Sequence, residues 1–150
     1  MINSHKEIVE SIRHFVSKFE FINDFTYLKD IDGIVEEISI SEPRTLVLGL
    51  DSVEFDEVDY NTTLTYLYAI ADETMDDIDS IIESETENIF CVSALSDYLN
   101  HINESPVEME RTTMSNSVDK GTIYTTVSGS FSFIIKTNPS YWKKMEEYNV

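Results

Sequence analysis

The 150-residue sequence is poor in the residues that cross-link or interrupt a chain: one cysteine, three prolines and four glycines. The lone Cys91 excludes a disulfide within the chain and a multi-cysteine zinc site. Its neighbours Ile89, Phe90 and Val92 place it in a core rather than at a reactive surface. With so little proline and glycine there is no linker to divide the chain, so residues 1–150 are expected to form a single domain. No apolar run approaches the roughly 18–20 residues that a bilayer crossing needs. The opening "MINSHKEIVESIRHF" has charges where a secretory signal would be continuously apolar. The expectation is a soluble intracellular protein that does not engage a membrane.

Basic residues are also scarce. Ten Lys and Arg face 29 Asp and Glu, for a net charge of −19, and no Lys or Arg stands between Arg44 and Arg111. That balance argues against direct binding to nucleic-acid phosphates or anionic lipid, both of which need clustered cations. Acids gather at Glu54, Asp56, Glu57 and Asp59, and again at Asp72, Glu73, Asp76, Asp77 and Asp79. They read either as a solvated surface or as one that faces a basic partner or repels DNA.

Chemical motifs are missing too. His5, His14 and His101 have no Cys, His or carboxylate at metal-ligand spacing, and read as surface histidines. There is no G-x-S-x-G, P-loop, G-x-G-x-x-G or H-E-x-x-H. The "SGS" of residues 128–130 lies within a strand pattern, where a nucleophile elbow needs a sharp turn. The "DIDG" of residues 30–33 fails as a calcium loop, because Leu28 and Ser39 fall where carboxylates are required. Asp76 with Asp79, and Glu83 with Glu87, would share a helix face but have no basic partner. No catalytic residue, cofactor or metal is expected.

The order of elements is more informative. Ser4 and Glu7 form a capping box, and Ile8, Val9, Ile12, Phe15, Val16 and Phe19 follow at helical spacing, predicting a helix over residues 4–20. "GIVEEISI" (33–40) and "RTLVLGL" (44–50) read as a hairpin across "SEP". Residues 51–61 read as an acidic loop, and "TTLTYLYAIAD" (62–72) as a central strand apolar on both faces. Thr74 and Asp77 resemble a helix cap. The apolar residues Met75, Ile78, Ile81, Ile82, Ile89, Val92, Leu95, Leu99 and Ile102 predict either one helix over 75–102 or two with a break near Ser84–Asn88. "VEMERTTM" (107–114) reads as a strand and "SNSVDKG" (115–121) as a turn. "TIYTTVSGSFSFIIK" then reads as a long strand with a Phe131/Phe133/Ile135 core face, a hydroxyl-rich opposite face, and Gly129 at a bulge or bend midway. The tail 138–150 reads as a short helix behind Asn138 and Pro139. The fold expected is a two-layer α+β domain, ordered α–β–β–β–α–β–β, with an antiparallel sheet of about five strands and both helices packed on it.

Tyr66, Tyr68, Tyr124, Thr126 and the tail pair Tyr141 and Trp142 are candidate interface residues, with core packing as the competing reading for the strand tyrosines. In this order of elements, and in "LTYLYAIAD" and "TIYTTVSGSFSFII", the chain resembles the tail terminator (tail completion) proteins of tailed bacteriophages. The resemblance covers most of the chain and rests on architecture; the 21–32 segment and the C-terminal tail fall outside it. It implies a non-enzymatic virion protein, assembled in the host cytoplasm. It also implies a homo-oligomeric ring, usually a hexamer, at the head–tail or neck junction, contacting other neck and tail proteins and letting DNA pass. Glu54, Asp56, Glu57 and Asp59 would then face the lumen or a partner. Two other readings stay open: an acidic, DNA-mimicking module for a basic partner, and a small enzyme of an unfamiliar α+β family.

Overall fold

A computed structural model of the chain describes residues 2–28 and 44–136. Helix α1 spans His5–Lys18, strand β1 Asp24–Tyr27, β2 Thr45–Asp56, β3 Asn61–Thr74, helix α2 Ile78–Ile102, β4 Glu110–Asp119 and β5 Thr122–Lys136. The strands make one sheet in the order β1-β2-β3-β5-β4. This is the expected α+β order. The sheet, however, is mixed: β1 lies parallel to β2, and the other neighbours are antiparallel. The hairpin partner expected at 33–40 lies outside the described residues, and β1 comes from the segment 21–32, which had no clear reading. At four residues, β1 is too short to show an alternation.

α1 forms where the sequence put it. The Ser4 hydroxyl accepts from the Glu7 amide at 3.2 Å, while Glu7 Oε2 accepts from the Asn3 amide at 2.8 Å, one residue before the usual capping-box partner. Ile8, Ile12, Phe15 and Val16 are buried beneath it. They meet the inner face of the sheet, where Leu46, Leu48, Tyr66, Ile70, Phe131 and Phe133 are fully buried. Tyr66 and Phe131, cross-strand partners, stack with centroids 5.4 Å apart. A smaller cluster on the outer face joins Leu28, Val47, Ala69 and Ala71, with Tyr124 packed against it.

Two expected loops are strands. Residues 51–56 continue β2, and only the turn 57–60 separates it from β3. A register shift between Leu50 and Ser52 leaves Asp51 as the extra residue of a bulge. The bulge shifts the alternation by one residue, so Leu46, Leu48 and Leu50 share a face with Val53 and Phe55, which hides the strand from a two-residue pattern. Residues 115–119 likewise belong to β4. The turn is only Lys120–Gly121, both at positive φ (51° and 83°), as a two-residue type I′ hairpin requires. β4 is polar along almost its whole length because it is an exposed edge strand, and so it resembles a turn in composition.

α2 is one unbroken helix, begun by Asp77, whose carboxylate accepts from the Ser80 amide at 2.8 Å. Those hydrogen bonds hold the Asp77 carboxyl below its ordinary value. Thr74 is not part of the cap: it is the last residue of β3. At the other end of α2, the Asn100 side chain clamps the departing chain. Its amide donates to the Val107 carbonyl at 3.0 Å and its oxygen accepts from the Val107 amide at 2.7 Å.

Candidate functional site

From Asp51 onward β2 is exposed, and with the turn 57–60 it forms an arm along the edge of β3, whose Thr62 and Leu64 stay buried and pair with β5. The arm's tip is built by Asp56, whose Oδ1 accepts from the amides of Val58 (2.9 Å) and Asp59 (3.3 Å), an Asx turn. Phe55 and Val58 are 76% and 85% exposed there. Register divides the arm into two faces. Val53 and Phe55 oppose Leu64 and Thr62, on the side of the sheet that carries the helices; Glu54 and Asp56 oppose Thr63 and Asn61, on the other. All four predicted acids of this stretch, Glu54, Asp56, Glu57 and Asp59, are exposed on the arm, on a strand and its turn rather than on a loop.

At the opposite end of β3 stands a groove. Among the described residues, α2 packs over β3 and β5 and leaves β4 uncovered on the helix side. In the second half of α2 the predicted Leu95 and Leu99 are buried, but in its first half the isoleucines are not where periodicity put them. The buried face of α2 is Ser84, Asn88, Cys91, Leu95 and Leu99, while Ile78, Ile82 and Ile89 are exposed. Ile82 and Ile89 with Met114 and Val127 line a cavity of about 500 Å³ between α2 and β4.

The polar residues under α2 belong to a buried network that the sequence reading missed. Arg44, 7% exposed, reaches the Asp72 carboxylate at 2.8 Å and that of Glu87 at 2.6 Å. Its Nε donates to Asn88 Oδ1 at 3.2 Å. The Ser84 hydroxyl donates to Asp72 at 2.7 Å, and the Asn88 amide donates to the Thr125 carbonyl at 3.0 Å. Every charged member has an opposite charge or a hydrogen bond, as burial demands. One signal was available: Arg44 is the last cation before a 66-residue stretch, 45–110, that contains none.

Cys91 is buried below this network. Burial pushes its thiol up to about 11, against the pull of the Arg44 charge, so the reactive thiolate does not form at neutral pH. His5 is not the surface residue expected. It is half-buried, its Nδ1 2.7 Å from the Tyr66 hydroxyl and its Nε2 3.3 Å from that of Tyr27, and it pins the start of α1 to the sheet. His14 and His101 are exposed. Among the described residues, no group of three His, Cys, Asp or Glu could hold a metal ion, and no helix is long and apolar enough to cross a membrane.

The outer face of the sheet forms an open concavity of about 980 Å³ lined by Ser, Thr and acidic residues, with Tyr124, Thr126 and Arg111 among them. Thr65 and Ser132 pair across it at 2.8 Å. Tyr124 and Thr126, predicted at an interface, are therefore brought together on this face. Tyr66 and Tyr68 are not available to one: both are fully buried, Tyr66 under His5 and Tyr68 with its hydroxyl 3.1 Å from Thr112. Their alternation matched a strand covered on both sides, and the inner face proved to be the core. Tyr141 and Trp142 lie outside the described residues. A scan against protein-family models and a search of curated proteins each found no match to this chain.

Proposed function

We propose that the chain is a non-enzymatic structural protein of a tailed-phage virion, a ring-forming component of the tail-terminator or neck junction that acts through protein–protein contacts around a DNA channel. One observation carries this reading: the end of β2 and the turn after it form an exposed arm on the edge of the sheet, apolar on one face and acidic on the other. A solitary domain gains nothing from holding Phe55 and Val58 in water, whereas a neighbouring subunit buries them. Among the described residues, the edge of β4, ten residues long, is likewise an unpaired ladder of the kind soluble proteins normally cover or pair. The acids Glu54 and Asp56 suit a wall past which DNA must slide without sticking, since like charge repels phosphate. Tyr124 and Thr126, with Tyr141 and Trp142 of the tail, are further residues proposed to meet neighbours.

The test is the mass and shape of the purified protein. Native mass spectrometry and negative-stain electron microscopy should show a closed ring, hexameric by the resemblance. A strict monomer at all concentrations and salts, which also fails to bind purified tails or capsid necks, would sink the proposal.

A further inference from the structure

We infer that the arm of one copy seats in the groove between α2 and β4 of the next, Phe55 and Val58 entering beside Ile82 and Ile89. This inference rests on the ring reading and names the contact that would close the ring.

Each end lacks what the other offers. The arm presents Val53, Phe55 and Val58 at 50–85% exposure, side chains with no core to enter. In the groove, Ile82 and Ile89 are 53% and 59% exposed, and beyond its lining Met75, Ile78 and Val118 are 71–75% exposed. Its 500 Å³ falls within the range of pockets that enclose a small molecule, so it has room for an aromatic ring and an aliphatic neighbour. Eight such side chains, at on the order of 100 Å² each, approach the ~1,000 Å² that a specific interface must bury, before any polar rim is added.

Position decides the symmetry. The arm projects at the Asn61 end of β3, and the groove lies beside Ile70–Thr74, since Met114 pairs with Val127 and Val127 with Ile70. At ~3.3 Å per residue, Thr62 and Ile70 are about 26 Å apart along the strand. Two different patches so far apart make a head-to-tail contact, which closes into a ring where its rotation allows and otherwise propagates as a filament.

Charge then gives the contact a signature. Glu57 and Asp59 flank the arm's tip, and Glu85, Asp76 and Asp79 stand on or near the groove's helix, so like charges approach as apolar surfaces join. Salt screens that repulsion and strengthens the contact. A basic partner in the same groove would show the reverse.

The experiment is sedimentation velocity at 50 and 500 mM NaCl on three proteins: wild type, the arm variant Phe55→Ser/Val58→Ser, and the groove variant Ile82→Ser/Ile89→Ser. Because all four positions are exposed, both variants should fold, which circular dichroism verifies. Wild type should form a closed oligomer, more completely at 500 mM, and each variant alone should be monomeric. Mixed one to one, the variants should give a heterodimer and nothing larger, because one intact arm and one intact groove make a single contact. Variants that assemble like wild type overturn this contact and leave the ring standing, while a wild type that is monomeric throughout removes the ring as well. A mixture that stays monomeric shows that arm and groove do not meet each other. Assembly that dissolves as salt rises assigns the interface to opposite charges, against the inference.

Discussion

Arg44 stands in a left-handed conformation (φ 55°) that costs a residue other than glycine or asparagine roughly 1 kcal/mol. The compensation is the ion-pair network that ties the start of β2 to the end of β3 and the middle of α2. Replacing Arg44 with Met keeps the length but leaves Asp72, largely shielded from water, without its counter-charge. Chemical denaturation should show a loss of about 3 kcal/mol, the scale of a broken buried pair. A loss near zero would mean that solvent reaches the site. Ser84 and Asn88 are in the core because this network needs them there. Apolar periodicity had no way to anticipate that, and so assigned the buried face in the first half of α2 to isoleucines that are exposed. The phenols add an alkaline limit. Burial raises Tyr66, Tyr68 and Tyr98, and raises Cys91 from 9.0 to about 11, so in each case the folded state holds a proton that the unfolded chain gives up sooner. Stability is thus whole below pH 9 and falls as pH rises towards 11. Followed by absorbance at 295 nm, the phenolates of Tyr66 and Tyr68 should appear together with unfolding; their independent titration near pH 10 would contradict this.

At the scale of elements, the β4–β5 hairpin turns on one missing side chain. A Cβ on Gly129 would lie 2.7 Å from the Glu110 carbonyl oxygen and 2.9 Å from the Tyr68 hydroxyl. The bulge between Glu110 and Thr113, with Arg111 at φ 53°, brings the β4 backbone this close, and the Tyr68 ring crosses the glycine to reach Thr112. Gly129→Ala should therefore cost about 1–3 kcal/mol, the usual penalty of overpacking, with amide exchange faster in β4 than in β2. An unchanged melting temperature would show that the bulge yields. The glycine was readable as the site of an irregularity, but not that the irregularity sits on the partner strand, since register depends on residues far apart in sequence. α1 was legible because its cap and its stripe lie within one local window. β1, and β2 beyond Asp51, were not, the first too short and the second put out of phase by its bulge.

For the whole molecule the governing quantity is a net charge of −19. The order of elements was legible despite it, because hydrophobic alternation survives in β3 and β5. The extension of β2 through residues 51–56 was not, because exposed acids there look like a loop. A charge of this size repels a second copy as well as phosphate, so assembly must overcome it through apolar contact and screening. Reversing two acids at the arm's tip, Glu57→Lys and Asp59→Lys, changes the net charge by two per substitution, from −19 to −15. Neither residue touches the core, so the melting temperature of the monomeric protein should stay within a few degrees of wild type. At 50 mM NaCl, where the Debye length exceeds ~10 Å, the reversed arm should assemble more completely than wild type, and the difference should shrink as salt rises. Light scattering across a salt series measures both effects. If reversal weakens assembly instead, the acids of the tip make contacts of their own with a basic surface, and repulsion does not set the strength of the ring.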